Sequence, residues 1–141
     1  MTRRIVTFVG AVLATYVVAA VLASNSVISN VIAMGLPVDF GKRLEVIGHD
    51  ILGMTTSYLP LIAVALLLAF LVAGLLVRNR PTLRIAIYVL AGSIAVACIH
   101  VGLKMAFDIT PVAAARTTVG LSLQAMAGAF GGYLFARFAT Q

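Results

Sequence analysis

Apolar residues run along this chain in four long blocks separated by short polar stretches. A transmembrane helix needs about 20 mostly apolar residues, and residues 5–23, 53–77, 85–107 and 117–136 each meet that requirement. Backbone groups in lipid must pair within their own segment, so each block predicts a helix. The alternating apolar and polar pattern of an outer-membrane barrel strand is absent from the sequence. The expected fold class is an all-α integral membrane protein, with four transmembrane helices in an antiparallel bundle. The whole chain, 1–141, reads as a single membrane domain.

The connections differ in character. Ser24, Asn25, Ser26, Ser29 and Asn30 interrupt the first apolar run, and Gly35 with Pro37 predicts a turn. Residues 39–52 then read as an amphipathic helix in the first outer loop. Asp39 suits its N-cap, and Asp39–Arg43, Glu45–His49 and Lys42–Glu45 stand at helical pairing distances. Leu44, Ile47, Ile51 and Leu52 supply an apolar side. This helix is expected to lie along the interface or to lead directly into the second span, with Gly48 and Gly53 allowing a bend. Pro60 could bend the second span itself. Arg78 to Arg84 contains Asn79, Pro81 and Thr82, which predicts a tight hairpin. Before the fourth span, Thr110 is an expected N-cap and Pro111 fits a first helical turn.

Composition supports a membrane protein. Hydrophobic residues make up 62% of the chain and charged residues 10%, against roughly 45–50% and 25% in an ordinary soluble domain. There are ten Lys and Arg against four Asp and Glu, a formal net charge of +6. On a soluble protein that excess would suggest nucleic acid; here it is read by position. Arg3, Arg4, Arg78, Arg80, Arg84 and Arg137 share one side of the predicted topology, with no acid among them. Lys42, Arg43, Lys104 and Arg116 share the other side with all four acids. The Lys/Arg bias therefore predicts cytoplasmic N- and C-termini in a bacterial inner membrane, with possible anionic-lipid contact and no nucleic-acid partner. The basic start and first apolar run resemble a signal peptide. The run spans about 19 residues, longer than the usual 7–15-residue core, and reads as a retained anchor.

The chemistry-bearing residues concentrate towards the predicted outer side. Ala86, Ser93, Ala97, His100, Lys104 and Asp108 fall on one stripe of the third span. Thr117, Gly120, Gln124, Ala127, Gly128 and Gly131 form a matching face on the fourth. By helical rise, His100 lies about 22 Å and Gln124 about 18 Å from the inner side, so the two are expected at one level and within reach of a hydrogen bond. Lys104 and Asp108 fit interfacial anchors, with Arg116 as a partner for Asp108 or Asp50. Gly128–Gly132 is a GxxxG pair, and Gly120, Gly128, Gly131 and Gly132 are expected at helix contacts, within the bundle or between copies.

Four functional classes follow. The first is a non-enzymatic membrane protein that works as an oligomer, with itself or as an accessory subunit of a larger membrane assembly. The second is a binding or transport protein whose outward polar pocket takes an anionic ligand or lipid head group through His49, Asp50, His100, Lys104, Asp108, Arg116 and Gln124. Haem held by His49 and His100 is disfavoured, because a straight second span places them roughly 20 Å apart in depth. A membrane enzyme is also disfavoured, because the inner half lacks a basic and acidic pair on consecutive turns. The one cysteine, Cys98, excludes an internal disulfide. No cofactor or metal is expected, and the first class is preferred.

Overall fold

The computed structural model describes residues 2–108 and 112–139. Within them the chain forms five α-helices: α1 (Thr2–Ala33), α2 (Phe40–Gly53), α3 (Tyr58–Asn79), α4 (Arg84–Phe107) and α5 (Thr118–Phe138). Short 3₁₀ turns occupy Pro81–Leu83 and Ala113–Arg116, and the described residues contain no strand. The four helices α1, α3, α4 and α5 are long and apolar enough to cross a membrane. Large side chains such as Leu68, Leu71 and Leu75 stand exposed on the outside, a surface suited to hydrocarbon rather than water.

The first span is longer than the sequence pattern predicts. It does not stop at Ala23 but continues through the Ser–Asn segment to Ala33, a length of about 48 Å against a hydrocarbon core of about 30 Å. The polar residues expected to break the helix are accommodated within it. Asn25 donates to the Val21 carbonyl at 3.0 Å, and the Ser24 hydroxyl lies 3.0 Å from the Ala20 carbonyl. A side chain that bonds one turn back fits a continuing helix. Gly35 supplies the stop. It adopts φ 85°, its N–H reaches the Ile32 carbonyl at 2.9 Å, and the Leu36 N–H reaches Val31 at 3.4 Å. These two bonds close a Schellman motif, which requires the left-handed conformation glycine adopts without a Cβ penalty.

α2 starts where Asp39 caps it, accepting from the Lys42 N–H at 2.9 Å. Gly53 ends the helix and a turn over 54–57 separates it from α3. The second span therefore begins at Tyr58 and not at Gly53. Pro60 falls in the first turn of α3, where its missing N–H has no helical partner to lose, so it marks a helix start and not a bend. At the other end of the molecule Pro81 opens the hairpin turn between α3 and α4. Thr117 caps α5, accepting from the Gly120 N–H at 3.0 Å. The expected cap Thr110 and its neighbour Pro111 lie outside the described residues.

α5 packs against both α4 and α1, and its small residues permit this. A Cβ built on Gly128 would lie 2.2 Å from the Gly92 carbonyl oxygen, and one on Gly132 would lie 2.1 Å from that of Tyr88. Contact positions thus descend along α4 as they ascend along α5. Gly131 faces α1, where a Cβ would meet Thr15 Oγ1 at 1.9 Å. Such close backbone approach gains dispersion energy between helices that no hydrophobic effect drives together in lipid. The GxxxG face is therefore occupied inside the chain. α3 packs mainly on α4, which leaves much of its surface open.

Candidate functional site

Two of the residues read from the spans, His100 and Gln124, meet inside the bundle through a residue the sequence did not single out. Tyr58, at the first turn of α3, places its hydroxyl 2.9 Å from His100 Nε2 on α4 and 2.9 Å from Gln124 Oε1 on α5. Gln124 Nε2 donates in turn to the Ala19 carbonyl of α1 at 3.0 Å. One hydrogen-bonded chain joins all four long helices. Its side chains are shielded: Tyr58 and His100 are 2% exposed and Gln124 is 0%. Burying these groups is tolerable because all their polar atoms but one, His100 Nδ1, find a partner.

The order of the chain fixes the protons. The Ala19 carbonyl can only accept, so the Gln124 amide nitrogen faces it and Oε1 faces Tyr58. The Tyr58 hydroxyl must then donate to Oε1, and its oxygen accepts from a His100 Nε2–H. His100 is thereby held as the Nε2–H tautomer, leaving Nδ1 buried without a partner. His100 and Gln124 share one level, as expected, but they are bridged by Tyr58 and do not bond each other directly.

A second polar layer ties α2 to α1. The Tyr16 ring lies 6.4 Å from the Tyr58 ring. Its hydroxyl donates to the Ile51 carbonyl and lies 3.2 Å from Thr55 Oγ1. The Ser24 hydroxyl donates to Asp50 Oδ2 at 2.6 Å, a short bond characteristic of a carboxylate acceptor. Asp50 thus pairs with Ser24, and Arg116 is not its partner.

The remaining predicted site residues stand apart. His49 projects from α2 with its side chain 87% exposed and its Nδ1 4.0 Å from Asp50 Oδ1. Lys104, Asp108 and Arg116 are exposed. Among the described residues the ion pairs are Lys42–Glu45, at 2.9 Å, and the His49–Asp50 contact; Asp39–Arg43, Glu45–His49 and Asp108–Arg116 do not close. The hydrogen bond and negative charge of Glu45 raise the Lys42 pKa. That small contribution is complete below the unfolded-state Lys pKa and is lost as pH rises through the folded value. Asp108 caps α4 through its backbone, at φ 54° with its N–H on the Lys104 carbonyl at 3.0 Å. His49 is exposed on α2, while His100 is buried on α4 against Tyr58 of α3.

A groove of about 920 Å³ runs between α3 and α4. Its α3 side has a floor of Ala65, Ala69 and Ala73, and its α4 side contributes Ala91, Ala95 and Gly102. Leu61, Val64, Leu68 and Ile94 form its rims. Cys98, the one cysteine, is exposed there. The small residues of the fourth span pack within the bundle, while an open small-residue surface lies on the second and third. The alanines sit among so many leucines that composition alone does not reveal the floor. No protein family matches this chain, and no curated protein or solved structure matches it.

Proposed function

We propose that this chain is a small non-enzymatic polytopic protein of a bacterial inner membrane that acts through association with other transmembrane helices, as a homo-oligomer or as an accessory subunit. The α3–α4 groove carries this reading. A helix can approach closely over an alanine and glycine floor, and the apolar rims select an occupant without charge. The occupant we assign is α3 of a second copy. Val64, Leu68 and Leu75 form an exposed ridge on α3 beside its alanine floor. A two-fold axis along the membrane normal would lay each ridge on the other floor and close both grooves together.

Gly102→Leu tests the assignment. A Cβ at Gly102 meets open space, so the substitution fills one end of the groove without disturbing the monomer. The expected result is a folded, thermally stable variant whose dimer fraction by native mass spectrometry falls at least tenfold. Unchanged dimerisation contradicts the groove as the interface.

The Lys/Arg distribution supports a topology with both termini in the cytoplasm. A reporter fused after Gln141 is expected to be active only as a cytoplasmic reporter. Periplasmic activity would overturn the orientation and leave the groove untouched. The polar-pocket reading gains no comparable support, because His100 and Gln124 spend hydrogen bonds inside the bundle while Lys104, Asp108 and Arg116 stand exposed.

A further inference from the structure

A second cleft, of about 640 Å³, opens at the other end of the bundle, where the start of α1, the end of α3, the start of α4 and the end of α5 converge. Its lining includes Arg4, Arg78 and Arg84 and no acidic side chain. The four acids of the chain, Asp39, Glu45, Asp50 and Asp108, belong to the connections at the opposite end. Beneath the arginines lie four rings. Phe70 stacks on Phe135 at 4.7 Å and meets Tyr88 edge-on at 5.5 Å, while Phe8 closes the group 6.2 Å from Phe70.

Arg84 is already oriented. It donates to the Ala139 carbonyl just beyond α5 and its guanidinium carbon lies 6.0 Å over the Tyr88 ring. Its Nε is shielded from solvent and has no hydrogen-bond partner. Arg84 and two further arginines line one cleft with no acid among them, and guanidinium groups are the donors best suited to phosphate oxygens. The cleft is polar only at this rim. Ile5, Leu67 and Leu71 carry its wall onto the exposed apolar surface of α1 and α3. A ligand that follows the wall has an anionic head and a hydrocarbon tail.

We propose that this cleft binds the phosphate head group of an anionic membrane lipid, with one acyl chain lying along α1 and α3. A free phosphate would satisfy the arginines and leave the apolar wall unused; a zwitterionic lipid would bring a cation towards three guanidinium groups.

The test is thermal unfolding and native mass spectrometry of the full chain in neutral detergent, with dioleoyl phosphatidylglycerol, dioleoyl phosphatidylcholine or inorganic phosphate added. Phosphatidylglycerol is expected to raise the melting temperature by several degrees and to remain as one bound lipid per chain, with no such effect from the other two. Arg78→Gln with Arg84→Gln should weaken this binding at least tenfold. Because Arg84 also ties α4 to the end of α5, Arg4→Gln with Arg78→Gln is the companion variant, and it should weaken binding several-fold with the fold intact. Arg3→Gln with Arg137→Gln removes equal charge from the same end outside the cleft and should leave binding unchanged. An equal loss in that control pair, or equal stabilisation by phosphatidylcholine or inorganic phosphate, overturns the proposal.

Discussion

Gly128→Ala is expected to destabilise the bundle by about 2 kcal/mol or more, the cost typical of forcing an extra carbon into a packed core. Two effects oppose each other at this position. Alanine is the better helix former by about 1 kcal/mol, which would stabilise an isolated helix. The added Cβ, however, would sit 2.2 Å from the Gly92 carbonyl oxygen and 2.7 Å from Val96 Cγ2. Backbone cannot rotate away as a side chain can, so α4 and α5 must separate, and the contacts along their whole interface weaken together. The clash therefore wins. Gly10→Ala supplies the contrast, since its Cβ meets nothing within 4 Å and only the propensity gain remains. Thermal unfolding in detergent should show a lower melting temperature for Gly128→Ala and an equal or higher one for Gly10→Ala. Wild-type stability in Gly128→Ala would contradict the close α4–α5 approach.

The second large effect belongs to the buried junction. Tyr58→Phe keeps the ring and removes the oxygen that His100 Nε2 and Gln124 Oε1 share. Two buried polar groups then lose their partner at once. An orphaned group costs about 1–3 kcal/mol in a soluble core, whereas interhelical hydrogen bonds in membranes average about 0.6 kcal/mol. Because both orphans are fully enclosed, we expect a net loss of about 2 kcal/mol. Replacing all three residues, as Tyr58→Phe, His100→Leu and Gln124→Leu, removes donors and acceptors together. The triple variant should therefore unfold at a higher temperature than Tyr58→Phe alone. If its loss equals or exceeds that of the single substitution, the three residues contribute as separate packing groups and not as a network.

Much of this molecule can be read from its residues. The four apolar blocks announce the long helices, because backbone pairing in lipid allows helices or closed barrels and these blocks lack a barrel strand's alternation. Asp39 caps α2 as its position suggests, and His100 and Gln124 reach one level because helical rise is regular. Other features depend on partners that are distant in sequence. Asn25 looks like a helix breaker until its bond one turn back is seen, and Ser24 until its hydroxyl is found on Asp50; the true stop waits for Gly35. Tyr58 is one of four tyrosines in the chain, and nothing in its local spacing reveals that its hydroxyl meets both α4 and α5. The small residues of α5 were legible as a contact face, but their spacing does not say which helix they meet. Once Gly128 and Gly132 are committed to α4, the surface free for association moves to the α3–α4 groove. The basic residues give a similar case: position along the chain assigns them to one end, while only the fold gathers Arg4, Arg78 and Arg84 around one cleft.

The central claim is that the open α3–α4 groove brings two copies together within the membrane. The most direct measurement is single-molecule photobleaching of the full chain, labelled through a fusion at its C-terminus and reconstituted in bilayers over a wide range of protein-to-lipid ratios. Two-step bleaching should predominate at high ratio and give way to single steps on dilution, as expected of a reversible dimer. Single-step bleaching at every ratio would contradict the account.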